Sequence, residues 1–272
     1  MAKIKLTYRE IKSRQIQDIK KNISGYYVYR HLSSPLTWLF IKFDISPNAI
    51  TIASLFIPLI GFFFLFIGTY LTLIAGILFF ILFKILDMCD GEVARLLNKT
   101  SIEGVYYDRI SHYSFTYFIG IGIGAGLFRL YGSYYFLIAG FLFAFAFILE
   151  NAMQDLLLRP LLKAGNEEFY KKLLKNLKEA SWSEANIFSK IAGIYPVQGI
   201  VYSDTFLPIV LLILISAGYL QSLMLKNPLA DFMLAIAILT YLLLALISKS
   251  FWSAAMIYKI EKNRHISKLL QK

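Results

Sequence analysis

Residues 71–97 have the sequence LTLIAGILFFILFKILDMCDGEVARLL, an apolar run that ends in a cluster of charged side chains. The apolar part, residues 71–86, is short for a membrane helix, because crossing about 30 Å of hydrocarbon takes about 20 mainly apolar residues. We therefore expect the helix to continue past Asp87 and to end near Leu97. The segment predicts a transmembrane helix whose last turns carry polar side chains at the membrane surface.

The rest of the chain has the same apolar character. Of the 272 residues, 58% are hydrophobic and only 17% are charged, and the mean hydropathy of +0.61 excludes a soluble domain of average composition. These values predict an all-α polytopic membrane protein with six transmembrane helices. The predicted spans are residues 50–67, 71–86, 113–130, 133–153, 206–220 and 229–247.

The distribution of basic residues predicts the orientation of these spans, because Lys and Arg are retained in cytoplasmic loops. Of the 28 Lys and Arg residues, only Arg129 and Lys226 fall in connections on the opposite side. Both termini and the loop around Asp90 are therefore predicted to be cytoplasmic, in the cell membrane if the organism is prokaryotic. We attribute the formal net charge of +11 to contact with an anionic membrane face, and we expect no nucleic-acid partner.

Two further segments are predicted to lie on the membrane surface. Residues 28–43 mix apolar and basic side chains and predict an interfacial helix before the first span. Residues 166–179 repeat apolar side chains at intervals of four and predict a second surface helix. The predicted division is a basic cytoplasmic tail at 1–26, a membrane domain at 27–250 with a cytoplasmic insertion at about 159–203, and a basic cytoplasmic tail at 251–272.

The polar end of the second span forms one helical face. At 100° per residue, five side chains between Asp87 and Arg95 fall within a sector about 140° wide. The next predicted helix repeats the arrangement after a short connection, so the two helices should be antiparallel neighbours, with small residues that let the backbones approach. The two sets are Asp87, Asp90, Gly91, Ala94 and Arg95, and then Ser101, Gly104, Asp108, Ser111 and His112.

Three carboxylates that face one another, those of Asp87, Asp90 and Asp108, need a counter-charge. Single acids at helix ends are often only solvated residues, but this set combines three acids with an arginine and matched glycines. Oxygen ligands at helical spacing suit hard cations such as Mg²⁺ or Mn²⁺, which bridge to substrate phosphates. Arg95 lies on the Asp87 face, where its planar guanidinium can bind phosphate oxygens. The pattern predicts a metal site for phosphoryl chemistry.

The pattern resembles the motif of the CDP-alcohol phosphotransferases, also called CDP-alcohol phosphatidyltransferases, which is D-x2-D-G-x2-A-R-x8-G-x3-D-x3-D. The chain matches seven of its eight fixed positions and keeps the spacing. Residues 47–51 also resemble the family's Pro-Asn-x-x-Thr element, and the likeness extends to the six spans and the interfacial helix. The matching motif positions are Asp87, Asp90, Gly91, Ala94, Arg95, Gly104 and Asp108.

The resemblance implies that a substituted phosphate passes from a CDP-linked donor to an alcohol, with release of CMP, in phospholipid or related lipid biosynthesis. It implies that Asp87, Asp90 and Asp108 bind Mg²⁺ or Mn²⁺, that Arg95 neutralises charge on the phosphates, and that the protein is a homodimer. The nucleotide-binding residues that it implies are Asn48, Thr51, Gly91, Ala94, Arg95, Ser101 and Gly104.

One motif position departs from the family. His112 stands where the family has its fourth Asp, the residue assigned as general base for the acceptor hydroxyl. Histidine can accept that proton because imidazole titrates near neutrality, and its position four residues after Asp108 keeps it on the same face. We predict a working variant with His112 as the catalytic base. The alternative is a catalytically degenerate scaffold that binds nucleotide or lipid. A transporter is disfavoured, because the polar residues cluster at one face.

The sequence leaves the substrates open. A CDP-diacylglycerol donor with a soluble alcohol fits, as does a soluble CDP-alcohol with a lipid acceptor, and we favour the lipid-linked donor. Two charged side chains also have alternative interpretations. Lys84 either pairs with an acid or extends to the interface, and Asp155 either reaches the acceptor pocket or pairs with Arg159.

Overall fold

The structure, a computed structural model, describes residues 10–11, 23–163, 206–224 and 228–263. Within these ranges the chain is helical apart from short turns, and no strand occurs. The predicted all-α class is confirmed. The predicted surface helix at residues 166–179 lies outside the described residues.

The helices pack into a membrane bundle. Among the described residues, five stretches are long and apolar enough to cross a membrane, namely Pro47–Ile67, Tyr70–Leu96, Tyr134–Ala152, Leu207–Met224 and Met233–Ser250. The protein is therefore an integral membrane protein. The helices of the described ranges are α1 Ile23–Lys42, α2 Pro47–Leu55, α3 Ile57–Ile67, α4 Tyr70–Leu96, α5 Ile102–Tyr131, α6 Tyr134–Lys163, α7 Leu207–Met224 and α8 Pro228–Asn263.

The third predicted span, residues 113–130, lies within α5 but is not among those five stretches. Arg129, the glycines and several hydroxyl-bearing residues lower the hydropathy of α5, although its 30 residues are long enough to cross. The helix packs along α3 and α6 and buries Phe115, Ile119 and Ile123. It therefore runs inside the bundle, where neighbouring helices rather than lipid cover much of its surface.

The first predicted span is formed by two helices, α2 and α3, which meet at Phe56. Pro58 lies in the first turn of α3. A proline inside a continuous helix would clash with the carbonyl four residues earlier, here that of Ser54, so the helix ends and restarts. The break separates α2, at the polar end of the bundle, from α3 in its apolar part.

Small residues bring α5 close to its neighbours. A Cβ atom on Gly120 would lie 2.6 Å from the Cβ of Ala144 on α6, and one on Gly126 would collide with the carbonyl oxygen of Leu65 on α3. That Cβ on Gly126 would also lie 2.6 Å from Leu73 near the start of α4. Because the other end of α4 meets the beginning of α5, the two helices are antiparallel, as predicted. Close packing of this kind holds helices together in lipid.

The predicted interfacial helix coincides with α1, which packs against α4. The contact is polar: Thr37 Oγ1 donates a hydrogen bond of 2.6 Å to Glu92 Oε2, and Ser33 Oγ donates one of 3.3 Å to Glu92 Oε1. Arg30 Nε lies 3.6 Å from Glu92 Oε1. Burial of Tyr29 on the same helix raises the pKa of its hydroxyl. These contacts hold α1 against α4, the helix that carries the first part of the motif.

Candidate active site

A cavity of about 310 Å³ opens at the polar end of α4. It lies between α2, α4, the connection at residues 97–101, and α5. Its volume is at the small end of the range for ligand sites, about 300–1,000 Å³. All the site residues predicted from the sequence except His112 line this cavity. They are Asn48, Thr51, Asp87, Asp90, Gly91, Ala94, Arg95, Ser101, Gly104 and Asp108.

The inner end of the cavity is acidic. Asp90 is 7% exposed, and its Oδ2 accepts a hydrogen bond of 2.6 Å from Thr51 Oγ1 on α2. Asp87 Oδ1 is buried and accepts no hydrogen bond. The Nε2 atom of His112 lies 3.2 Å from Asp87 Oδ1, close to it but not aligned for a hydrogen bond. One carboxylate oxygen at this end therefore lacks a donor.

His112 lies behind the acids rather than in the cavity wall. Its Nε2 atom is 3.7 Å from Asp108 Oδ1, one helical turn away on α5. The ring meets that of Phe83 edge-on, with 6.2 Å between centroids. The structure thus brings His112 to the same acids as the motif predicts, although His112 itself does not line the cavity.

The acidic end fits a divalent cation. Asp87, Asp108 and His112 each offer one ligand atom, and these atoms lie within 4.8 Å of one another. The carboxylate oxygens suit Mg²⁺ or Mn²⁺, whereas an imidazole nitrogen is a ligand that softer metals prefer. The buried Asp87 Oδ1 without a hydrogen bond is the atom that a cation would satisfy.

The opposite wall joins α2 to the beginning of α5. Asn48 Nδ2 donates a hydrogen bond of 3.3 Å to Ser101 Oγ, which accepts another of 3.0 Å from the backbone N–H of Gly104. Ser101 is thereby the N-cap of α5. A Cβ atom on Gly104 would lie 2.9 Å from Asn48 Oδ1, so the bare glycine leaves room for the asparagine. The Pro-Asn-x-x-Thr element and the motif meet here.

Arg95 lies across the backbone of α4. A Cβ atom on Gly91 would be 3.1 Å from Arg95 Nη1, so the absence of a side chain at Gly91 accommodates the guanidinium. The spacing of four residues puts both on one face of the helix. The guanidinium is therefore held beside the cavity that Gly91 and Arg95 both line.

Sequence reasoning missed four residues of the cavity wall. Three of them fall between or beside the fixed motif positions, and the fourth, Pro47, is the first residue of the Pro-Asn-x-x-Thr element but has no polar side chain that would have suggested a role. The signal was available in the short connection between the two motif helices, which has to pass the site that they form. The four residues are Pro47, Lys99, Thr100 and Val105.

Two charged side chains lie beside the site. Lys84 is only 7% exposed, with Nζ 4.3 Å from the ring centroid of Phe115, and no carboxylate of the described residues lies within 4.0 Å. Both interpretations of Lys84 were therefore wrong, since it faces an aromatic ring. Asp155 Oδ1 lies 3.1 Å from Arg109 Nε, and Asp155 Oδ2 accepts a hydrogen bond of 2.9 Å from Tyr113. These contacts tie α6 to α5.

Residues 44–165 match the CDP-alcohol phosphatidyltransferase family. This segment, just under half of the chain, is similar to that family. The match contains every residue that lines the cavity, from Pro47 to Asp108. The match confirms the resemblance found in the motif.

An uncharacterized protein of Aquifex aeolicus (strain VF5) is 38% identical to the chain over 80 residues. The aligned stretch makes up 29% of this chain and 39% of that protein. The chain thus spans about two fifths of the length of this relative.

Proposed function

We propose that the protein moves a substituted phosphate, with a phosphatidyl group favoured, from a CDP-linked donor to an alcohol and releases CMP. The observation that carries the proposal is the single cavity in which three carboxylates and a guanidinium meet. The cavity lies where the apolar part of α4 ends. A water-soluble head and a lipid tail can meet at such a surface, which suits phospholipid or related lipid biosynthesis.

The acids of the cavity, Asp87, Asp90 and Asp108, would hold Mg²⁺ or Mn²⁺, and the unsatisfied Asp87 Oδ1 supports this assignment. A bound divalent cation supplies positive charge that neutralises phosphate oxygens during phosphoryl transfer. Arg95 adds a fixed guanidinium beside the same volume and would stabilise charge on the phosphates. Neutralisation of this charge is where phosphoryl transfer gains most of its rate.

The wall formed by α2 and the beginning of α5 carries no charged side chain at Asn48, Ser101 and Gly104, and we call it the neutral wall. It would hold the nucleotide. Asn48 and Ser101 present amide and hydroxyl groups that can donate to ribose or cytosine oxygens. Gly91, Ala94 and Gly104 leave the backbone bare, so a ligand can approach it closely. Thr51 is already engaged with Asp90, and we assign it the positioning of that carboxylate.

In the transfer step, the acceptor hydroxyl oxygen forms a bond to the phosphorus that carries the substituent, and the bond from that phosphorus to the CMP oxygen breaks. We assign the hydroxyl proton to His112. Its Nε2 lies 3.7 Å from Asp108 Oδ1, so the acceptor has to approach alongside Asp108. Because His112 does not line the cavity, proton transfer to His112 is the step of the proposal that requires the most specific geometry.

We place the cavity and both termini on the cytoplasmic side, because basic residues concentrate in those connections. A CDP-diacylglycerol donor with a soluble acceptor is our preferred pair. A homodimer is proposed on the family resemblance.

The position of His112 favours a second candidate, a scaffold that binds nucleotide or lipid without turnover. His112 does not line the cavity, and its Nε2 faces two carboxylates. If these contacts persist when substrate binds, no base reaches the acceptor hydroxyl.

The reverse reaction tests the proposal without a choice of acceptor. Isotope-labelled CMP and Mn²⁺ are added to membranes that contain the protein, and labelled CDP conjugates are identified by mass spectrometry. Asp108→Ala sets the background. We expect labelled CDP-diacylglycerol. A labelled soluble CDP-alcohol would reverse the choice of donor, and no conjugate above background would favour the scaffold.

The role of His112 needs its own pair of variants. We expect His112→Ala and Asp108→Ala both to abolish CMP release from the donor. If His112→Ala released CMP at the normal rate while Asp108→Ala did not, the base assignment would be wrong but the transferase proposal would stand.

A further inference from the structure

The two ends of the cavity carry opposite charge. Asp87, Asp90 and Asp108 form the inner end, whereas Arg95 and Lys99 line the outer end. The Arg95 guanidinium reaches back along α4 to Gly91, and Lys99 lies in the connection beyond the end of α4. A ligand that fills the cavity therefore meets acids at one end and cations at the other.

The backbone places Lys99 at this outer end through a helix-terminating turn. Asn98 has a left-handed conformation with φ of 51°. The N–H of Lys99 donates to the carbonyl of Ala94 at 2.9 Å, and that of Asn98 donates to the carbonyl of Arg95 at 3.4 Å. This pair of bonds is a Schellman motif, which ends α4 and turns the chain back along the cavity. Lys99 is held there by backbone geometry, two residues before the N-cap Ser101.

Among the described residues Lys99, like Lys84, has no acidic partner, whereas Arg109 and Lys249 each have one. Arg109 lies against Asp155, and Lys249 Nζ is 2.8 Å from Glu150 Oε2. No carboxylate of the described residues lies within 4.0 Å of the Lys99 ammonium. Its charge is therefore available to an anion that enters the cavity.

We propose that Lys99 is a binding residue for the phosphate of the nucleotide half of the substrate, the phosphate that leaves with CMP. The inference rests on the proposed function. The acids have to direct their cation at the reacting end, so a phosphate oxygen that faces outward meets Arg95 and Lys99. The ammonium is a point charge on a flexible four-carbon stem, which suits a phosphate that moves from bound donor to free product.

A purely structural role has a different consequence. A lysine at the carboxyl end of a helix also complements the helix dipole. In that case loss of the charge would lower stability slightly and would leave nucleotide affinity unchanged. Nucleotide binding therefore separates the two roles.

The test is binding of CMP and of cytidine to the purified full chain in detergent with Mn²⁺, measured by calorimetry. Lys99→Gln should raise the dissociation constant of CMP about threefold to tenfold. Cytidine has no phosphate, so its affinity should stay the same. Lys99→Arg should bind CMP within about twofold of the unchanged protein. The matched control is Lys42→Gln, because Lys42 is exposed at the end of α1, over Trp38 and away from the cavity.

Equal CMP affinity in Lys99→Gln and the unchanged protein would overturn the inference while leaving the proposed function intact. An equal loss for CMP and cytidine would also overturn it, because the effect would not involve the phosphate. If the unchanged protein bound no CMP, the proposed function would fail, and the inference with it. Unchanged thermal stability of Lys99→Gln shows that the variant is folded.

Discussion

Asp90 and Glu92 are two residues apart on α4, and both are buried, with 7% and 3% of their surfaces exposed. Glu92 faces α1, where Thr37 and Ser33 donate to its two oxygens and Arg30 lies 3.6 Å away. Asp90 faces the cavity with one hydroxyl donor, that of Thr51. One helix therefore carries, on one face, an acid with two hydroxyl donors and an arginine, and, on the other face, acids with fewer donors and only His112 close by.

The different numbers of partners indicate that Glu92 has a structural role and that the acids of the cavity have a functional one. A buried carboxylate is costly unless a cation or several donors accompany it. The protein supplies both to Glu92. It supplies neither fully to Asp87, whose Oδ1 accepts no hydrogen bond, and the missing charge has to come from a bound cation.

The largest expected effect is on activity. We expect Asp87→Asn to lower CMP release at least a hundredfold, on the order of the loss of a main electrostatic contact. Glu92→Gln keeps the size and most hydrogen bonds and should stay within about threefold. The measurement is CMP release by membranes that contain equal amounts of each variant. Comparable losses in both variants would remove the distinction between the two faces.

For the free energy of unfolding we expect the reverse order, with a larger loss at Glu92 than at the acids of the cavity. Glu92→Ala removes the acid that accompanies Arg30, which is 11% exposed, and should cost about 3 kcal/mol. Asp90→Ala relieves repulsion among the acids of the cavity and should cost less. Thermal unfolding in detergent, without added metal, gives the comparison. A smaller loss for Glu92→Ala than for Asp90→Ala would contradict the structural role of Glu92.

Addition of a divalent cation tests the two acids in a second way, because only a metal ligand should affect the stabilisation that the cation gives. Mn²⁺ at a hundred times its dissociation constant should stabilise the folded protein by about 2.7 kcal/mol, seen as a higher unfolding temperature. Asp87→Asn should lose most of this gain and Glu92→Gln should keep it. An equal gain in all three proteins would locate the binding elsewhere.

The smallest effect concerns the neutral wall. Gly104→Ala would bring a methyl group to 2.9 Å from Asn48 Oδ1, so the asparagine must move and the KM for the CDP donor should rise about threefold to tenfold. In an Asn48→Ala background the same change should add little, because the contact is gone. Additive effects of the two changes would show that they act independently.

Much of the fold followed from local patterns. Apolar length predicted the spans, and the short connection predicted that α4 and α5 are antiparallel neighbours. The glycines were predicted to let these two backbones approach, but Gly91 makes room for Arg95 and Gly104 makes room for Asn48. The break at Phe56 was not predicted, although Pro58 was visible, because the apolar run continues through it. The packing of α5 inside the bundle was likewise not predicted, because the sequence does not show which of its faces meets protein instead of lipid.

For the site, too, some residues could be predicted from local sequence patterns and others could not. Residue type and spacing brought together the acids, Arg95 and the glycines, since one helical turn relates each to the next. Lys99 and the Asn48 contact with Ser101 were not visible, because they depend on where a turn and a separate helix lie in space.

Helical periodicity is a local property, so the sequence alone was enough to place Asp87, Asp90 and Asp108 on facing helices. The partner that balances the charge of a buried carboxylate, in contrast, can come from a helix far away in the sequence. Only the tertiary structure determined that Glu92 meets Arg30 and two hydroxyl donors while Asp87 Oδ1 accepts no hydrogen bond, because α1 and α2 pack on different faces of α4. The same packing set His112 behind the acids instead of in the cavity, since its distance from the open volume depends on how far α5 approaches α4.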